Sequence, residues 1–241
     1  MTSEDKIAAT DTSRDAQSAT FQRARRPEQR EARRQAILDV AETMLAQDPT
    51  AEISLREISR RVGLATSNVL RYFESREAIF LELLAGESTS WLDALEQELD
   101  ELEPDSGVTA CERVARVWAA TLAERPTLCE LWSVMSSVLE RNVSVDTVRH
   151  FKRGAIARNR RLADLIAQRI HGLRQDAAAE VASMASTFIG GVWPLANPGP
   201  TVIDATEDPD LLAAHVDFQA RMARMLALLL SAEILTNAAP A

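Results

Sequence analysis

Thr66, Ser67, Asn68, Arg71 and Tyr72 crowd hydroxyl, carboxamide and guanidinium groups into a single short stretch that also holds the apolar residues Val69 and Phe73. Those polar groups bond base edges and phosphates in the major groove of B-DNA, which has room for one helix. On a helical pitch Val69 and Phe73 are one turn apart and share a face, so they are expected to anchor the segment inward while the polar residues point out. Competing chemistries lack their residues. There is no glycine-rich phosphate loop, no GxSxG elbow and no zinc motif, and the chain is expected not to be an enzyme and to need no cofactor. With three histidines and no HxxxH spacing, no metal site is expected.

The elements that would hold this stretch can be read on either side of it. Ser54, with Glu57 three positions on, is a capping-box start for a helix whose apolar face is Leu55, Ile58 and Val62. Gly63 can take the left-handed conformation that ends it, and Thr66 or Ser67 can cap the short helix that follows. Upstream, Ile37, Leu38, Ala41, Met44 and Leu45 have the spacing of a first helix that stops before Pro49. Downstream, Ile79, Phe80, Leu83 and Leu84 begin a helix that can run on through Trp91, Leu92, Leu95 and Leu99. Together these are the dimensions of a helix-turn-helix.

The run ILDVAETMLA followed by SLREISRRVGLATSNVLRYFESREAIFLELL resembles the N-terminal domain of TetR-family transcriptional regulators, over about Arg30 to Leu84. The apolar anchors, the Gly63 turn, the Tyr72-Phe73 pair and the Ser-Arg-Glu start of the next helix match together. The resemblance implies a homodimer on a double-stranded DNA operator, and a C-terminal domain that binds a small-molecule effector and pairs two long helices with those of its mate. It also implies DNA contacts at Arg56, at Thr66, Ser67 and Asn68, at Arg71 and Tyr72, and at Arg76. Leu70 stands where the family usually has a tyrosine that touches the DNA backbone. Leucine cannot donate to phosphate, so Leu70 either meets a thymine methyl or packs.

Charge is distributed accordingly. The 241-residue chain has net charge −9, yet ten arginines against eight acids leave Phe21 to Ser75 slightly positive. The arginine-dense run Arg23 to Arg34 is either a solvated face or an arm that enters a minor groove or follows phosphates. Residues 1–28 are expected to form a disordered tail with this arm, 29–84 the reader, 85–234 the sensing and dimerising body, and 235–241 a flexible end. With 46% hydrophobic residues the chain can bury a full core, and its strong patterns all have helical spacing, so the fold class is all-α.

In the body, helical patterns run through Val108 to Leu122, Leu128 to Leu139, Val145 to Ile170 and Val181 to Val192. ANPGPTVIDATEDPD reads as a breaker-rich linker, and Leu211, Leu212, His215, Phe218, Met222 and Met225 as the last helix. Trp118, Trp132, Met135, Phe151, Met184 and Phe188 are candidate walls of a ligand cavity, with His150, Asn159 and His171 as candidate polar groups. Cys111 and Cys129 are expected to be reduced core thiols. No signal-like or membrane-length apolar run is present, and a cytoplasmic location is expected. The dimer is expected to be held by the helices around Val181–Trp193 and Leu211–Leu230. The reading that follows is a repressor released from its operator by an apolar or amphipathic ligand, with a ligand-independent DNA-binding protein or an activator as the alternative.

Overall fold

The computed structural model describes residues 28–48 and 50–238, and the expected tail up to residue 27, with Arg23, Arg25 and Arg26 of the arginine run, lies outside them. Ten α-helices make up nearly all of it. Helix α1 (28–45) buries Ile37, Leu38, Ala41, Met44 and Leu45, the five positions its spacing selects. Helix α2 (Leu55–Val62) starts where Ser54 Oγ accepts from the Glu57 N–H at 3.1 Å. It ends where Gly63, at φ 74°, turns the chain so that the Leu64 N–H reaches the Ser59 carbonyl at 3.0 Å.

Helix α3 (Thr66–Val69) is a single α-turn, prolonged to Phe73 by bonds from the Leu70, Tyr72 and Phe73 N–H groups to carbonyls three or four residues back. Its N-cap is Ala65 and no side chain caps it, so neither Thr66 nor Ser67 has the capping role expected of it. Both fall inside the turn, where their side chains are left for other partners. Helix α4 (Arg76–Asp100) begins with Ser75 Oγ accepting from the Ala78 N–H at 3.1 Å, although no acidic residue completes a capping box. It runs unbroken through the expected boundary at residue 84, burying Phe80 and Leu84 near the reader and Trp91, Leu92, Leu95 and Leu99 in the body.

The body consists of α5 (Gly107–Ala123), α6 (Pro126–Val134), α7 (Val145–Arg169), α8 (Gln175–Ala196), α9 (Pro200–Thr206) and α10 (Phe218–Ala238). Helix α10 packs along α5 and α8, while α7 lies against α4 and α8. A two-residue parallel pairing of Asp105–Ser106 with Ile170–His171 ties the turn after α4 to the end of α7. Such a pairing is too short to show alternation in a sequence. Cys111 and Cys129 are buried and unbridged.

Two expected helices have different bounds. Helix α6 stops at Val134, and Leu139 is reached through a turn and the 3-10 segment Leu139–Arg141. Ser136 and Ser137 interrupt the helix formers there. The expected linker contains α9 and the start of the 3-10 segment Pro209–Ala214, each opened by a proline whose fixed φ suits a first helical position. The last helix therefore begins at Phe218, and Leu211, Leu212 and His215 lie outside it, exposed.

Candidate nucleic-acid interface and sensing cavity

The recognition segment divides into anchors and an outer face. Ile58 and Val69 are fully buried and Phe73 nearly so, whereas Arg56, Ser67, Asn68, Leu70 and Arg71 are exposed and Thr66 and Tyr72 partly so. The exposed leucine does not pack into the core. Leu70 presents an apolar side chain amid polar ones, which suits a methyl contact better than structural filling. Beside this face, Arg60 and Arg61 both bond Glu57, and the Arg60 bond in particular holds the Glu57 carboxyl down at about 2. Arg30 and Arg33 are exposed on α1, but Arg34 is engaged: its guanidinium lies 4.6 Å over the Phe73 ring and pairs with Glu82 of α4.

Arg76 faces inward. Its Nη1 donates to the Ile53 carbonyl at 2.6 Å and to the Thr50 carbonyl at 3.3 Å, and its Nε and Nη2 donate to Glu77. The resemblance implies a DNA contact here. In the structure four of the five guanidinium N–H groups brace the 50–53 loop against the start of α4.

Two further polar links cross from the reader to the body. Glu74, one residue beyond Phe73, accepts from the Ser144 N–H at 2.8 Å and the Thr147 hydroxyl at 2.6 Å, so that it caps α7 from outside. These bonds, the Thr147 one foremost, lower the Glu74 pKa. Glu130 of α6 accepts from the Thr50 hydroxyl at 3.1 Å with one oxygen and from the Trp193 indole N–H at 3.3 Å with the other. Neither pairing has a sequence signature, because each joins residues more than sixty positions apart.

A cavity of about 480 Å³ opens between α4, α6, α7 and α8. Trp132, Met135 and Phe151 line it as the sequence suggested, with Trp91, Leu92 and Leu162 completing the apolar wall. Trp118 lies behind it, its ring 6.4 Å from that of Trp91. Met184 and Phe188 do not line it, and Phe188 is 42% exposed on the outer side of α8. Asn159 is at the wall, its amide donating to the Ala179 carbonyl at 3.1 Å. His150 belongs to a wider cleft of about 1160 Å³ between α1, α4 and α7, and His171 is exposed. Among the described residues no cluster of His, Cys, Asp or Glu could hold a metal ion, and no helix is long and apolar enough to cross a membrane.

A short helix-turn-helix with a polar outer face, set on an all-helical body with a cavity open between its helices, defines the class of one-component DNA-binding regulators. Residues 37–83 match the family of bacterial regulatory proteins described as the tetR family, and residues 85–231 match the tetracyclin repressor-like C-terminal domain. The chain belongs to the TetR family of DNA-binding transcriptional regulators. The HTH-type transcriptional regulators Rv1816 of Mycobacterium tuberculosis and Mb1846 of Mycobacterium bovis are each 32% identical to it over 88 residues. That match spans 35% of this chain and 38% of either relative. Among solved structures, a TetR transcriptional regulator from Rhodococcus sp. RHA1 is 17% identical, with TM-score 0.48 over 84% of this chain and 97% of the other. The fatty acid degradation regulator FadR from Bacillus halodurans is 12% identical, with TM-score 0.49 over 81% and 94%.

Proposed function

We propose that this regulator is a homodimeric repressor, without enzymatic activity, that a small apolar or amphipathic ligand releases from a near-palindromic operator. The observation that carries this reading is mechanical. The recognition segment is tied to both helices that wall the cavity: to α4 through Phe73, Arg34 and Glu82, and to α7 through Glu74 and Ser144. A ligand that prefers one arrangement of α4 and α7 therefore prefers one setting of the recognition helices, and differential affinity of this kind is what release requires. A coupling of about 1–3 kcal/mol would change operator affinity about 5- to 150-fold.

In the complex, Thr66, Ser67, Asn68 and Arg71 read base edges, Leu70 meets a thymine methyl, and Arg56 and Tyr72 hold phosphate. Arg76 has one guanidinium N–H beyond those used internally, so its phosphate contact is secondary to its brace. The dimer forms through the exposed stripe Phe188 and Leu195 of α8 with Leu228 and Leu235 of α10, apolar surface that one subunit leaves uncovered. The test begins with in vitro selection of bound DNA. Candidate ligands are then titrated against the purified dimer while tryptophan fluorescence and operator binding are followed in parallel. A ligand that changes the fluorescence and leaves operator affinity constant refutes release.

A further inference from the structure

We infer that the cavity takes an apolar molecule carrying one carboxylate, with Arg158 as the anchor for that charge. The inference deepens the ligand-release reading and rests on it only for the consequence of binding, not for binding itself. The charged residues lining the 480 Å³ cavity are Lys152, Arg158 and Arg160, and no aspartate or glutamate lines it, in a chain whose net charge is −9. Lys152 is paired with Glu140 at 2.6 Å and Arg160 is exposed. Arg158 is different. It is half-buried, its guanidinium carbon lies 5.9 Å from the centre of the Phe151 ring, and among the described residues no carboxylate is within ion-pair distance. Burial lowers its pKa with no counter-charge to offset the effect.

Arg158 stands between this cavity and the wider cleft, its guanidinium beside Gly154 of the cleft and near Phe151, which lines both, and among the described residues none of the cleft's carboxylates is within ion-pair distance of it. Asp93 pairs with Arg161 at 2.6 Å, Glu82 with Arg34, and Glu87 lies 3.9 Å from Arg125. A guanidinium stays charged in a protein, so holding one partly desolvated and unpaired is a cost borne by the empty state. An incoming carboxylate offsets that cost with two parallel charge-assisted hydrogen bonds. The remaining wall fixes the rest of the ligand: Trp91, Trp132, Met135 and Leu162 offer mainly apolar surface along one side, while Ser88, Asn159 and Ser186 of the rest of the lining already donate to backbone carbonyls. One unpaired cation that is half-buried balances one negative charge, while the exposed Arg160 is screened by solvent. A phosphate dianion would leave the excess in a half-buried place, which favours the monoanion.

The experiment uses the full-length dimer and matched probes that differ in the head group alone: decanoate against decanol and decylammonium, and 2-naphthoate against 2-naphthamide. Binding is read by calorimetry and by tryptophan emission. At least one acid is expected to bind tenfold or more tightly than its neutral counterpart, and decylammonium not at all. In Arg158→Gln the acid is expected to lose that advantage while the neutral probe binds as before, and the variant's melting temperature, at or above that of the wild type, reports that it is folded. Acids that bind no better than their neutral counterparts overturn the inference, as does an advantage that survives in Arg158→Gln. If Arg158→Gln does not fold, Arg158→Lys, which keeps the charge but not the pair of parallel N–H groups, is expected to show a reduced advantage for the acid, and an unchanged advantage there overturns the assignment to Arg158. Operator affinity, measured separately with the same acid, distinguishes the two readings: an acid that binds through Arg158 without loosening the operator refutes release and leaves the anchor standing.

Discussion

Replacing Glu130 with glutamine tests the link between the reader and helix α8. One carboxylate oxygen accepts from the Thr50 hydroxyl at 3.1 Å and, more weakly, from the Thr50 N–H at 3.4 Å, while the other accepts from the Trp193 indole at 3.3 Å. Glutamine has the same volume but only one acceptor oxygen. Whichever way its amide turns, the NH₂ faces either the Thr50 pair or the indole, and an indole N–H can only donate. Thr50 is 5% exposed and Trp193 8%, so water does not readily replace the lost partner. A hydrogen bond to a charged acceptor is worth about 1.5–3 kcal/mol, but these contacts are long and Glu130 is half-buried, which brings the expected loss to about 1 kcal/mol. In a protein of this size that is a fall of about 2–4 °C in melting temperature at fixed protein concentration.

The assay is a double-mutant cycle with Trp193→Phe. Phenylalanine keeps an aromatic edge against Phe218, whose ring centre is 5.1 Å away, and removes the donor. If the Glu130–Trp193 bond is present, Glu130→Gln costs less in the Trp193→Phe background, with a coupling of at least about 0.5 kcal/mol. Costs that add within about 0.3 kcal/mol would refute the reasoning, because non-interacting sites behave that way.

Three other outcomes can be checked with purified protein. Phe188→Glu and Leu228→Glu are expected to give folded monomers in sedimentation, whereas Met222→Glu, at a fully buried core position, is expected to lose the fold by circular dichroism. Asn68→Ala and Arg71→Ala should alter base preference by about 1–3 kcal/mol per lost pair in binding selections, while Arg56→Ala should weaken all sequences alike and flatten the salt dependence. Glu74 has a lowered pKa, so its cap on α7 is fully present above the ordinary carboxylate value and is lost as pH falls through the lowered one. The protection of amides at the start of α7, taken relative to their intrinsic exchange at each pH, should therefore fall in acid in the wild type, and in Glu74→Gln should be low already at neutral pH.

The parts of this molecule that a sequence reader can see are those governed by local periodicity and local capping. The anchors of α1 and α2, the Gly63 turn and the run of α4 from Ser75 to Leu99 are all of that kind, since 3.6-residue spacing and one capping hydroxyl carry them. The outer face of the recognition segment was legible for the same reason: short polar residues flank Val69 and Phe73, whose burial fixes which way the others point. Arg76 was not legible, because its partners at Ile53 and Thr50 are backbone carbonyls that no side-chain pattern marks. The cavity was half legible. Trp132, Met135 and Phe151 are apolar in the same way as Trp118, Met184 and Phe188, and only tertiary packing decides which of them meets the hole, the layer behind it or the outside. The unpaired state of Arg158 likewise depends on what surrounds it, which a single helix pattern leaves open.

The ties between reader and body differ in kind, and that difference bears on how the proposed release would travel. Helix α4 is continuous from the recognition segment into the body and is buried at both ends, from Phe80 to Leu99, so bending it would disturb two cores at once. Interiors packed to crystal-like density resist such deformation. Helix α7 is joined to the reader by the exposed bonds of Glu74 to Ser144 and Thr147. Exposed hydrogen bonds of that sort belong to the low-stability end of a structure and break at small cost. Yet α7 contributes both Phe151 and Arg158 to the cavity, seven residues apart and so on one face. A ligand drawn to Arg158 thus acts first on the helix whose polar tie to the reader is the weaker one, and a shift of α7 along its axis pulls on Glu74, the residue next to the Phe73 anchor. The stiff helix α4 then carries the reader as one body instead of absorbing the change.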